Sequence, residues 1–475
     1  GVNNVSSGYK ALYANTTGGY NAAFGMEALA ANTTASSNTA IGYVAMAQNT
    51  TGSFNVAIGR DALAKNTTGA GNVAVGYQAL LDTTTNTTGL TAIGYQAAMG
   101  NTTAVQTVAI GYQALMTNTT GFYNTALGYQ ALYSNTTGAG NIAVGQALYA
   151  NTTGAYNVAM GHGAMNASTT GSYSVGIGYS ALNSVTTGYR NVAVGAFSGH
   201  GITTGIFNTA VGDYAGRGIT TGDYNVAIGY NSMLEVGVTG DQNTALGYGT
   251  LMLNTSGQYN TAIGAMALRA TTTGSNNTAV GRQALYTNTT GQLNTAMGHE
   301  SMYGNTTGEE NSSFGRRSFY TNTTGNYNVA FGAQSLYSNT TGSYNVASGY
   351  LALQSNTTGA NNTALGYQAC EQNETGSSNV CIGYEAGETM GTNNSNQLYI
   401  SNSSTQNLIT GNFADGFVTI GRAGLANGGL GVHGDLGVRF YDDDASAYIA
   451  LVSPSTVSSN VTYTLPSADG SDGQV

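Results

Sequence analysis

Asn124-Thr125-Ala126-Leu127-Gly128-Tyr129-Gln130-Ala131-Leu132-Tyr133-Ser134-Asn135-Thr136-Thr137-Gly138 is one copy of a phrase that restarts 23 times between Asn4 and Asn379. Its 22 intervals average about 17 residues. Regular self-similarity at so short a period marks a solenoid, in which each turn buries its apolar side only by stacking on the next. Such a chain builds length rather than a cleft, so the pattern predicts a rod.

Positions are numbered from the leading residue of each copy, usually Asn. Position 5 is always Gly, and position 3 is small, usually Ala, with Ser6, Gly176, Ser313 and Cys381 as variants. Position 4 is bulky and apolar in 21 of 23 copies, with Ser7 and Ser348 the exceptions. Alternate residues of a strand face opposite sides. Positions 2 and 4 therefore share one face, read as the coil interior. Positions 3 and 5 share the other, read as a small-residue face open to another backbone. Position 9, as in Leu29, Leu132 and Leu353, forms a second apolar column on the far side of the coil. The Asn-Thr-Thr-Gly of positions 12–15 reads as a turn, because Asn and Thr bond nearby backbone groups and Gly accepts positive φ. A helix through Tyr-Gln-Ala-Leu-Tyr is ruled out by the short span between the glycines at positions 5 and 15. Two short strands and two corners per coil follow, stacked in parallel at about 4.8 Å, with Asn, Thr and Tyr in ladders. The rod is then on the order of 100 Å long. The repeats contain no Pro, so nothing removes a ladder donor.

A 17-residue coil encloses little core against backbone entropy of roughly 1–2 kcal/mol per residue. Association is expected to supply the rest, most simply three chains meeting through their Ala/Gly faces. Some copies deviate. Those from Asn72 and Asn225 are one residue long, and the copy from Asn141 is one short. Those from Asn191 and Asn208 place Gly199 and Gly216 at position 9, which predicts a local change of shape.

Composition narrows the functional classes. Charged residues make up 7% of the 475, Gly numbers 70, and the net charge is −10. Lys and Arg total 11 with no basic stripe, which argues against nucleic acid as a partner. No apolar run reaches membrane-spanning length, and none resembles a secretory leader. The opening at Gly1 and the stop at Val475 within a continuing phrase read as truncation or processing.

The Asn-x-Ala-Ile-Gly element resembles the head repeat of trimeric autotransporter adhesins, a left-handed parallel β-roll, although the period here is longer. The phrase Asn124–Gly138 is similar to repeats of phage tail-fibre proteins. Asn396–Ser404 followed by Leu408–Phe413 resembles the segment that follows such repeats. Val438–Tyr441 and Tyr463–Gly470 resemble the run preceding an endosialidase-type intramolecular chaperone. The resemblance implies an all-β, elongated parallel β-solenoid, left-handed and homotrimeric, over residues 1–392. It also implies a small β-rich region over 393–475. As a function it implies the shaft of a trimeric phage tail fibre supporting host-surface attachment. A bacterial surface adhesin or extracellular filament shares the same physics, and an ice-binding solenoid is a more distant alternative. The chain itself is the expected partner, with a host-surface glycan second.

No residue set suggests catalysis, a cofactor or a metal. His162 and His299 replace the common Tyr of position 6, while His200 and His433 stand apart. None of the four has metal-ligand spacing. Asp442–Asp444, Glu309-Glu310, Asp61 and Glu235 read as solvated acids, neither a calcium repeat nor a hydrolase pair. Cys370 at position 9 and Cys381 at position 3 of the next copy fall on different sides of the expected coil, which favours two separate thiols. Asn-Thr-Thr matches the N-glycosylation pattern many times, and Glu371–Thr375 places Asn373 in the stricter bacterial acceptor pattern. Tyr columns at positions 6 and 17 suit packing more than sugar stacking.

Overall fold

The structure is a computed structural model describing residues 1–388, 390–404, 407–420, 438–441 and 448–451. Each of the 23 copies contributes one three-residue strand at positions 2–4, from β1 (Val5–Ser7) to β23 (Val380–Ile382). Every strand lies parallel to the next with like positions opposed, as in Val56↔Val73, Ala57↔Ala74 and Ile58↔Val75. The irregular copies keep this register. Val73 pairs with Thr91 across the longer copy, and Ile142 pairs with Val158 across the shorter one. The chain is a parallel β-solenoid with about 17 residues per turn.

The far side of the coil is not the second strand expected there. Positions 7, 9 and 17 take left-handed backbone, as in Gln113 (φ 52), Leu115 (φ 55) and Tyr123 (φ 59). A left-handed non-Gly residue costs roughly 1–2 kcal/mol. The stacked coils offset that cost by bonding backbone to backbone all the way round. Gln113 N–H donates to Tyr95 O of the preceding coil at 2.8 Å, and Leu115 N–H to Ala131 O of the following one at 2.9 Å. Thr119 N–H donates to Thr136 O, also at 2.9 Å. The rungs are therefore hydrogen-bonded outside the strands as well as within them. Position 5 does require its glycine. Gly366 has φ 138, and a Cβ there would run into the backbone of Gly383 one rung on.

The strand faces are also reversed from expectation. Position 3 points inward and is fully buried, as in Ala57, Ala109 and Ala126, whereas position 4 points outward, with Ile58 37% and Ile110 38% exposed. The reason is space. Leu at position 9, Ala at position 8 and Asn at positions 1 and 12 already fill the interior, so only a small residue fits at position 3. One copy shows how tight this is. Gly176 replaces the position-3 Ala next to Met165, and a Cβ on Gly176 would lie 2.9 Å from Met165 Cγ.

Two buried asparagine columns run through this interior. At position 12, Asn322 Nδ2 donates to Asn305 Oδ1 at 2.7 Å and to Gly325 O at 3.1 Å. At position 1, Asn328 N–H donates to Asn311 Oδ1 at 2.9 Å, and its Nδ2 donates to Gly342 O at 2.9 Å. Where the columns are unbroken each amide satisfies a neighbouring rung, as buried polar groups should, whereas Asn151 Oδ1 and Asn254 Oδ1 have no partner among the described residues.

The change of shape expected near Gly199 and Gly216 is instead an exchange inside the coil. Ile202 and Ile219 replace the position-12 Asn, and their side chains fill the space that Leu leaves at position 9. The strand register passes through unchanged, Val192↔Thr209↔Val226.

After β23 the sheet continues. The strand β24 (Gln397–Ser401) adds in parallel, Val380↔Leu398, and β25 (Asn407–Asn412) and β26 (Phe417–Ile420) follow antiparallel. Separately, β27 (Val438–Tyr441) and β28 (Tyr448–Leu451) form an antiparallel hairpin. His433, Asp442–Asp444 and Tyr463–Gly470 lie outside the described residues.

Candidate functional site

The most prominent surface is the strand face itself. Because position 3 fills the interior, the bulky position-4 side chains stand outside in one column along the rod. Phe24, Ile41, Met160, Leu246, Phe331 and Ile382 are all more than a third exposed. A lone chain in water would carry this apolar strip uncovered along its whole length, well beyond the patches ordinary monomers expose. The Ala/Gly contact face expected from the sequence lies inside the coil and cannot serve as an interface.

Tyrosines stack along the axis in separate columns. Tyr77, Tyr95, Tyr112 and Tyr129 at position 6 have successive centroids 5.1, 5.1 and 5.4 Å apart. Tyr286, Tyr303, Tyr320 and Tyr337 do the same at position 10, at 5.0, 5.2 and 5.1 Å. Position 17 holds shorter runs such as Tyr327–Tyr344. Each ring face inside a column is covered by the next ring, leaving edges and hydroxyls outward. A sugar ring cannot lie flat on such a column except at its ends.

The threonines of the corner also differ from one another. Thr136 Oγ1 donates to Thr152 O at 3.0 Å, while the adjacent Thr137 is exposed. The corner thus presents one free hydroxyl column, not a flat paired array.

Cys370 and Cys381 form a disulfide, with Cα atoms 5.8 Å apart and both residues fully buried. They were expected on different sides of the coil. Position 3 points inward, so they meet in the core of the last two turns. Gly387 stands at position 9 of the final copy, where a Cβ would lie 2.8 Å from Cys381 Sγ.

The glycosylation matches are mostly sealed by folding. Asn373 is fully buried, and its Nδ2 donates to Asn356 Oδ1 and Gly376 O, both at 2.9 Å. The bacterial acceptor pattern there has no accessible amide. Asn86, in the extra-residue loop, is by contrast exposed.

The histidines are separate. His162 stacks on Tyr179, and His299 Nε2 lies 3.1 Å from Arg282 Nη1. Burial, with the nearby Arg217, lowers the pKa of His200. No group of three His, Cys, Asp or Glu able to hold a metal occurs among the described residues. Asp61 faces Arg60 at 3.3 Å, and Glu235 is exposed in the second extra-residue loop. Glu309 and Glu310 occupy positions 16 and 17, where Glu310 raises the pKa of Tyr327. Burial works against ionisation of Glu300, but the Arg317 hydrogen bond, with His299 and Arg282, holds its carboxyl below the ordinary value. No helix among the described residues is long and apolar enough to cross a membrane.

These features define a tandem-repeat β-solenoid whose conspicuous sites are long surfaces. No family model matches the chain, and no curated protein or solved structure matches it either.

Proposed function

We infer that the chain is a non-enzymatic structural fibre: the shaft of a homotrimeric phage tail fibre that supports attachment to a host surface. One observation carries the self-association, namely the outward apolar column at position 4 on a rod whose interior is already full. Three chains facing inward through this column would bury it around a common axis. The rod length of about 100 Å and the continuous rung-to-rung hydrogen bonding suit a spacer. The left-handed coil and the extracellular or virion setting follow from the resemblance to tail-fibre repeats and autotransporter heads. A bacterial surface adhesin or filament would use the same geometry.

The test is the mass of the native assembly. Sedimentation equilibrium should give three times the 48.2 kDa chain. Ile58→Asp with Ile110→Asp should reduce it to the monomer mass while leaving the β-sheet circular dichroism in place. A wild-type monomer, or an assembly unaffected by both substitutions, refutes the interface.

A further inference from the structure

Four of the nine Lys and Arg residues of the repeats fall between residues 269 and 317. Coiling gathers them on one side of the rod. Arg282, His299 and Arg316 occupy position 6 of three consecutive turns, Arg317 follows at position 7, and Arg269 heads the column that continues as Tyr286, Tyr303, Tyr320 and Tyr337. Ring spacings of 5.0–5.2 Å in that column set the rung separation for the charges beside it. The Arg269 guanidinium sits 5.6 Å from the Tyr286 centroid, and that of Arg317 sits 5.7 Å from Tyr320.

The cluster contains one carboxylate, Glu300, and Arg317 Nε takes it at 2.6 Å. Glu309 and Glu310 belong to positions 16 and 17, on the return to the next strand. Among the described residues Arg269, Arg282 and Arg316 make no salt bridge, and Arg282 Nη1 lies 3.1 Å from His299 Nε2. Packing does not explain them, since Tyr fills position 6 in many other turns, and like charges on nearby rungs repel. Three guanidinium groups without a carboxylate salt bridge along the axis, edged by phenol hydroxyls, form a linear anion-recognition surface on an otherwise acidic chain.

We propose that this face binds a linear acidic polysaccharide lying along the rod axis. Its carboxylate or sulfate groups meet Arg269, Arg282 and Arg316, and its hydroxyls meet the tyrosine edges. A polymer fits better than a single anion because the charges are spread over several rungs. A polysaccharide fits better than nucleic acid because the ring faces stack on each other and leave no platform for a base. The proposal rests on the reading of the chain as an exposed fibre and names the class of surface molecule it meets.

The experiment uses the assembled full chain against immobilised heparin, polygalacturonate, neutral dextran and duplex DNA. Retention on heparin or polygalacturonate, reversed by salt and missing on dextran, is expected; whichever polymer binds identifies the acid group. Arg282→Ser with Arg316→Ser should weaken that binding about tenfold or more, the loss of two charge-assisted contacts. Arg60→Ser with Arg190→Ser removes the same charge elsewhere and should change it less than about twofold. Equal losses in the two variants, DNA binding as tight as glycan binding, or no retention on either acidic polymer overturns the proposal. Because the mass of the assembly is measured independently, a trimer that ignores acidic glycans rejects this site and leaves the fibre reading standing.

Discussion

Replacing a single interior amide tests the ladder directly. Asn322 is fully buried and takes part in four hydrogen bonds. Its Nδ2 donates to Asn305 Oδ1 and Gly325 O, and its Oδ1 accepts from Gly325 N–H at 3.1 Å and from Asn339 Nδ2 at 3.0 Å. Asn322→Ala leaves Asn305 Oδ1 and Gly325 N–H without partners in a dry interior, while Asn339 Nδ2 keeps Gly342 O and Gly325 O keeps Asn311 Nδ2. Two orphaned groups at about 1–3 kcal/mol each give a loss of roughly 2–6 kcal/mol. Thr324→Ala, at the exposed neighbouring corner position, should stay within about 0.5 kcal/mol. Stacked repeats open locally, so peptide-resolved hydrogen exchange over residues 288–356 is a better readout than a single melting temperature. At 1.4 kcal/mol per tenfold, exchange there should accelerate by about 30-fold to about 20,000-fold in Asn322→Ala. If Asn322→Ala exchanges no faster than Thr324→Ala, the amide column does not hold the rungs together.

Further outcomes follow from the same geometry. The position-12 column is broken at Thr271, next to which Asn254 Oδ1 has no partner; Thr271→Asn should close the gap and raise the urea midpoint, by about 1 kcal/mol in stability. Reducing Cys370–Cys381 removes a crosslink spanning 11 residues, worth about 3 kcal/mol in a loop-entropy account. The loss should appear as faster exchange confined to the last turns and β24. Glu300 has a lowered folded pKa, so its contribution is present above the ordinary carboxylate pKa and disappears as pH falls through the folded value. Glu300→Gln should flatten that acid-side decline in a pH series of urea midpoints.

Much of this architecture was legible because a single pattern is written so many times. The period, the strand at positions 2–4, the Asn-Thr-Thr-Gly corner and the inward Leu all follow from column chemistry. The direction of the strand faces did not, because alternation says that Ala126 and Leu127 point oppositely without saying which points in. That depends on how much room the opposite wall leaves, and Leu, Ala and Asn from the rest of the coil leave room only for a small side chain. The same inversion hid the disulfide, since Cys381 reaches Cys370 only if position 3 faces the core. The missing second strand had no signal at all. Gln113 and Leu115 carry no residue-level preference for positive φ, and only the neighbouring rungs hold them there. The basic face between Arg269 and Arg317 was diluted in the overall charge count, because residues one period apart in the chain become neighbours only after coiling.

The paired exchange of Leu and Asn for Gly and Ile has a consequence for how such a rod changes over generations. Each turn can be rewritten internally provided that its outline stays constant, so the turns behave as interchangeable units. Duplicating or deleting 17 residues would alter reach by one step of about 4.8 Å without disturbing the joints on either side. Length is then adjusted in discrete increments, independently of whatever the surface has come to recognise.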